Sequence, residues 1–159
     1  MVESLGIDKP KKFLRWDRRF MDLAFHIAQW SKDPNTKVGA VIVFPENHQI
    51  IATGYNGIPR HVEDLAERMS RENGEKYKWM EHAERNAIYQ AAAIGVPIAG
   101  CALYTTLPPC GDCVRAIIQS GIWYVHTSPS DVSDAMKATV EFGKELCDEA
   151  GVSYETISV

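Results

Sequence analysis

The chain has 159 residues, 45% of them hydrophobic and 24% charged, which is enough for one globular domain with a sizeable core. A formal net charge of −4 argues against a broad cationic face for gripping a nucleic acid polymer. No apolar run approaches the ~20 residues that a membrane-spanning helix needs.

Residues 1–12 read as a loose polar lead-in, with Lys9, Lys11 and Lys12 but no apolar signal core behind them. Phe20, Leu23, Ala24 and Ile27 then fall at helical spacing, predicting an amphipathic helix over 16–31. "SKDPNTK", 31–37, is turn chemistry, with Asp33-Pro34 breaking the helix and Asn35 favouring a bend. "VGAVIVF", 38–44, reads as a buried strand, and "IIATGY", 50–55, pairs back on it as a hairpin. "NGIPR", 56–60, is a loop. The charged stretch 62–72 is helix-prone and reads as a surface helix in an insertion. A helix over 82–94 follows, with Gly95 and Pro97 at its end.

A strand over 101–106, a helix over 110–120 and a strand over 122–127 make a βαβ unit with parallel strands. A last helix covers 133–149, with Gly151 past its end, and "SYETIS", 153–158, closes as an edge strand. The expected fold is α/β, a three-layer α/β/α arrangement with a mixed central sheet. It forms one domain over 1–159. Cys101, Cys110, Cys113 and Cys147, with no secretory signal, point to a reducing compartment and a cytoplasmic protein with no membrane partner.

Two short motifs carry chemistry. Cys110 and Cys113 are three apart and share one helix face, and Pro109 suits a helix start. The positive end of the helix dipole favours thiolate there. Two thiolates and His82 form a ligand set of the type and softness that zinc prefers. No second CxxC and no HxxxH closes the set with a fourth ligand, and Cys101 and Cys147 read as small core residues. Three ligands plus a water is the arrangement of a catalytic zinc.

Glu84, at the head of the same helix as His82, then reads as the carboxylate that takes a proton from water and passes it on. His82-Ala83-Glu84 and Pro109-Cys110-Gly111-Asp112-Cys113 match the H-x-E…P-C-x-x-C signature of zinc deaminases at every fixed position. The chemistry that follows is attack at an amidine-like ring carbon, C4 of cytosine or C6 of adenine, with Glu84 moving the protons. The non-enzymatic alternative is a structural-zinc clip in a binding module.

"SKDPNTKVGAVIV" at 31–43, "ATGYNGIPR" at 52–60, "HAERNAI" at 82–88, "PCGDC" at 109–113 and "IIQSGI" at 117–122 resemble the cytidine and deoxycytidylate deaminase superfamily. The likeness runs over residues 16–127 and is strongest to the deoxycytidylate branch. It implies a sheet flanked by helices with zinc held between two helix starts, and hydrolysis of dCMP to dUMP and ammonia. It also implies a homo-oligomer, often a hexamer, and regulation of many members by dCTP and dTTP. Asn56 corresponds to the asparagine that positions the sugar. Val38, Gly39, Ala40 and Ala83 correspond to the substrate pocket.

Two positions depart from the pattern. Trp30 stands where many members carry an arginine suited to the substrate phosphate, and an indole cannot replace a guanidinium there. Lys32, Lys37, Arg60 and Lys78 are the cations that could take over. Arg85 stands where a neutral or acidic residue is more usual. Trp30 motivates the alternative substrate class, an unphosphorylated or modified pyrimidine nucleoside or base.

Overall fold

The computed structural model describes residues 14–158, so the predicted lead-in lies outside the described residues. Helix α1 spans Leu14–Ala28, and strands β1, Gly39–Phe44, and β2, Gln49–Tyr55, follow as the predicted hairpin. Helices α2, Glu75–Trp79, and α3, Ala83–Ile94, lead to β3, Ala102–Thr105. Helix α4, Gly111–Gln119, β4, Tyr124–Thr127, α5, Asp134–Ala150, and β5, Ser153–Thr156, complete the chain. Among the described residues no helix is long and apolar enough to cross a membrane.

The strands form one sheet in the order β2-β1-β3-β4-β5. β1 is antiparallel to both β2 and β3, whereas β3, β4 and β5 run parallel. β2, β3 and β4 therefore all point the same way. The helices that come after them, α3, α4 and α5, all begin at the same end of the sheet. This topology brings segments distant in sequence to one place, and it is the end where α/β sheets usually bind ligands.

The two faces of the sheet carry separate cores, as the α/β/α expectation requires. On one face Phe20, Met21, Ala24 and Ile27 of α1 bury against Val41, Val43, Ala102 and Tyr104. On the other, Ala83, Ala87 and Ala91 of α3, Val114 and Ile117 of α4, and Cys147 of α5 pack on Ala40, Ile42, Leu103 and Val125. Burial of a large aliphatic side chain such as Ile42, Leu103 or Ile117 stabilises by about 1.5–3 kcal/mol. Packing on this second face fixes where α3 and α4 start.

The alanines of α3 let it lie close to the sheet, and Gly54 of β2 completes the approach. A Cβ at Gly54 would overlap the Ala83 carbonyl oxygen and the Ala87 amide nitrogen. Both obstacles are backbone, so neither can rotate away. Gly54→Ala is expected to destabilise the fold by about 3 kcal/mol, the upper end of overpacking costs. Urea denaturation measures this, and a wild-type midpoint would contradict the close contact between β2 and the start of α3.

One predicted element is corrected. The surface helix expected over 62–72 is absent; the region holds short 3-10 turns at Ala66–Met69 and Glu72–Gly74, and the α-helical turn comes later, at Glu75–Trp79. Leu65 and Ser70, in extended backbone, interrupt the segment itself, and Asn73 and Gly74, with left-handed φ of 54° and 72°, separate it from the turn that follows. The segment is held instead by long-range contacts. Lys76 pairs with the buried Asp33, and Arg71 Nη2 donates to Thr36 Oγ1 at 2.9 Å.

Candidate active site

Both motifs fall at helix N-termini, and both key ligand positions are N-caps. His82 caps α3 and Cys110 caps α4, each with extended backbone and neither using its side chain to cap. Their side chains are thereby free to face each other. The residue before His82 is pinned twice. Glu81 forms a bridge with Gly57, its amide donating to the Gly57 carbonyl at 2.8 Å and its carbonyl accepting from the Gly57 amide at 3.1 Å. Its carboxylate accepts from the His82 amide at 2.9 Å and from Arg85 Nε at 2.6 Å. The start of α4 is held from α5, because the Gly111 amide donates to Thr139 Oγ1 at 3.0 Å.

His82 Nδ1 lies 3.5 Å from Cys110 Sγ and 3.3 Å from Cys113 Sγ, and the three ligand atoms are all within 4.8 Å of one another. A tetrahedral zinc with Zn–N of about 2.0–2.1 Å and Zn–S of about 2.3 Å separates nitrogen from sulfur by about 3.5 Å. Both nitrogen–sulfur separations therefore match those around the ion. The soft S,S,N chemistry selects zinc over a hard cation.

Electrostatics agree with that chemistry. A hydrogen bond from Cys113 and another from His82 outweigh burial and hold the Cys110 thiol well below its usual range, at about 3. The more deeply buried Cys113 is pushed up, first by its bond to Cys110 and then by burial. His82 is raised by its bond to Cys110, against burial.

Glu84 sits in the first turn of α3, only 3% exposed, with Oε2 3.6 Å from Cys113 Sγ. Burial pushes its carboxyl above the ordinary carboxylate range, the direction that suits a group that must both take and release a proton near neutrality.

His82, Glu84 and Cys110 line a cavity of about 440 Å³. Ala83, Val38 and Asn56 also line it, while Gly39 and Ala40 lie behind the wall as buried residues of β1. Asn56 is tightly engaged. Its Oδ1 accepts from the Val38 amide at 2.8 Å, and its Nδ2 donates to Asp33 Oδ2 at 3.0 Å and to the Thr36 carbonyl at 2.8 Å. Asp33 is fully buried and paired with Lys76; hydrogen bonds from that ammonium and from the Asn35 amide outweigh desolvation and hold its carboxyl below the usual range.

The structure does not bring the sequence-nominated cations to this cavity. Lys32 pairs with Asp64, Lys37 reaches the Gln29 carbonyl at 3.4 Å, and Lys78 pairs with Glu75 at 2.5 Å. None of these three, nor Arg60, is part of the lining. The cations that do line it are Arg71, Lys76 and Arg85. Sequence reasoning missed Arg71 because 62–72 read as a surface helix in an insertion, and Lys76 because it fell in no predicted element.

Comparison with known proteins places these features in context. The profile described as "Cytidine and deoxycytidylate deaminase zinc-binding region" matches residues 14–128. Human deoxycytidylate deaminase is 41% identical over 157 residues, covering 96% of this chain and 85% of the human protein. A probable deoxycytidylate deaminase of Drosophila melanogaster is 40% identical over 156 residues, covering 92% of this chain and 74% of the fly protein. Among solved structures, the dCMP deaminase of cyanophage S-TIM5 in complex with dCMP and dUMP superposes with a TM-score of 0.73 at 26% identity, covering 94% of this chain and 100% of the phage chain.

Proposed function

Because the chain belongs to the cytidine and deoxycytidylate deaminase family, we propose that it hydrolyses dCMP to dUMP and ammonia, with zinc as its cofactor. The observation that carries this reading is the placement of the buried Glu84 carboxylate beside the His82–Cys110–Cys113 donor set, with Glu84, His82 and Cys110 on the wall of one cavity and Cys113 buried behind it.

His82 Nδ1 and the two Sγ atoms would hold the ion. When bound, zinc would supply Lewis acidity that lowers the pKa of water to about 7. Glu84 takes the proton that water gives up and delivers it to N3 of the cytosine, making C4 electrophilic. The water oxygen bonds to C4. Glu84 then carries a proton to the exocyclic nitrogen, the C4–N4 bond breaks and ammonia leaves, so that dCMP and water become dUMP and ammonia. Val38, Ala83 and Asn56 form the wall against which the nucleotide lies. The Oδ1 of Asn56, with one lone pair uncommitted, accepts from a sugar hydroxyl.

The finer parts of this reading are a homo-oligomer, response to dCTP and dTTP, and a cytoplasmic setting. Four reduced cysteines suit a reducing compartment. Exposed Trp30, packed edge-on to exposed Tyr55 at 6.2 Å between centroids, suits a contact between copies.

The test is a substrate panel. Zinc-loaded protein is incubated with dCMP, deoxycytidine and cytosine, and ammonia release is followed. The expected order is dCMP far ahead of deoxycytidine, with cytosine last. Turnover of the unphosphorylated compounds but not of dCMP would overturn the assignment.

A further inference from the structure

The monophosphate reading requires a cation that meets the phosphate, and the position expected to supply one holds Trp30. That side chain is 53% exposed, stacks edge-on with Tyr55 and His26, and does not line the cavity. The three cations that do line it differ sharply in how they are occupied. Lys76 is buried and neutralised by Asp33. Arg85 is neutralised by Glu81, which also fixes the His82 amide. Arg71 is exposed, pairs with no carboxylate among the described residues, and spends one N–H on the neutral Thr36 hydroxyl at 2.9 Å.

That one bond does two things. It ties the guanidinium to the loop whose Thr36 carbonyl and Asp33 carboxylate hold Asn56, so Arg71 is set on the same wall as the sugar-facing amide. It also leaves the rest of the planar fork uncommitted, on an exposed residue of the cavity whose lining includes the buried Glu84. Four carboxylates line the cavity: Glu81 is paired with Arg85, Asp112 with Arg115, Glu84 is buried, and Asp131 completes the set. A guanidinium in this state matches a phosphate dianion in charge and in bidentate geometry.

We propose that Arg71 binds the substrate's 5′-phosphate and sets the preference for the monophosphate over the nucleoside. The proposal rests on the dCMP reading and adds the residue responsible for it. It also gives the segment 66–79 a role as the wall that closes the phosphate end of the cavity.

The experiment measures kcat/KM for dCMP and for deoxycytidine with the zinc-loaded full chain, as wild type, Arg71→Ala and Arg71→Lys. Calorimetric binding of dUMP and deoxyuridine runs alongside. In Arg71→Ala the dCMP to deoxycytidine ratio is expected to fall about 10- to 100-fold, the usual worth of a charge-assisted hydrogen bond, mainly through KM. The dUMP to deoxyuridine affinity ratio falls with it, and Arg71→Lys recovers part of both. A ratio in Arg71→Ala within about twofold of wild type overturns the assignment to Arg71 and leaves the dCMP reading standing. Equal losses on both substrates overturn it too, assigning Arg71 to loop positioning through Thr36. A wild-type enzyme with no preference for dCMP removes both readings together.

Discussion

Glu84→Gln is expected to lower kcat by about 10⁴-fold, the upper end of what general acid–base catalysis contributes, because one carboxylate serves both proton transfers. The variant should retain one zinc per chain, since the ion's donors are His82, Cys110 and Cys113. It should also retain its unfolding midpoint. The amide has the same shape as the carboxyl, and burial already disfavours charge at this position. Binding of dUMP measured by calorimetry should persist. Steady-state kinetics, metal analysis and thermal unfolding on the same preparation separate these quantities. A glutamine variant with wild-type turnover would remove Glu84 from the chemistry, and one that lost zinc would make it a ligand.

The second large effect is expected from Cys110→Ser. Cys110 is the N-cap of α4, where serine is among the preferred residues, so the substitution favours the helix start locally. Any loss is then attributable to the ion. Serine does not supply the soft thiolate that Cys110 offers at neutral pH. Metal affinity should fall by more than the ~10–100-fold typical of losing an outer-shell partner. The protein should emerge from dialysis against a chelator without zinc and without activity. Its unfolding midpoint should drop, because binding energy held in common by α3 and α4 is folding energy. Full zinc occupancy after the same dialysis would contradict the proposed donor set.

The chemistry was legible in the sequence because it rests on local signals. Pro109 before Cys110, and a histidine two residues from a glutamate at the head of an alanine-rich run, mark helix starts by spacing alone. Those helices begin at Ala83 and Gly111, with the motif residues as caps. The strand β1 was equally readable from its β-branched run, and the edge strand β5 falls within the stretch "SYETIS" read as an edge strand. The segment 62–72 is no helix because charged, helix-prone composition describes tendency, whereas extended backbone at Leu65 and Ser70 confines it to one short turn between them. Its cavity-lining residues could not be found locally at all. Arg71 meets Thr36 across 35 positions, and Asp33, read as a helix breaker, is the buried partner of Lys76. Lys32 and Lys37 attracted attention by adjacency to a motif, yet the loop geometry turns them outward to Asp64 and to the Gln29 carbonyl.

Both amide hydrogens of Asn56 are committed to its own scaffold, to Asp33 and to Thr36, and its oxygen is held by Val38. The side chain therefore has no rotamer freedom left to surrender when a ligand arrives. The entropy of fixing that amide was settled during folding, so a molecule that hydrogen-bonds to Oδ1 would meet a rigid acceptor. Such a group discriminates by direction: a partner that donates along the uncommitted lone pair is accommodated, and one that presents another acceptor is repelled.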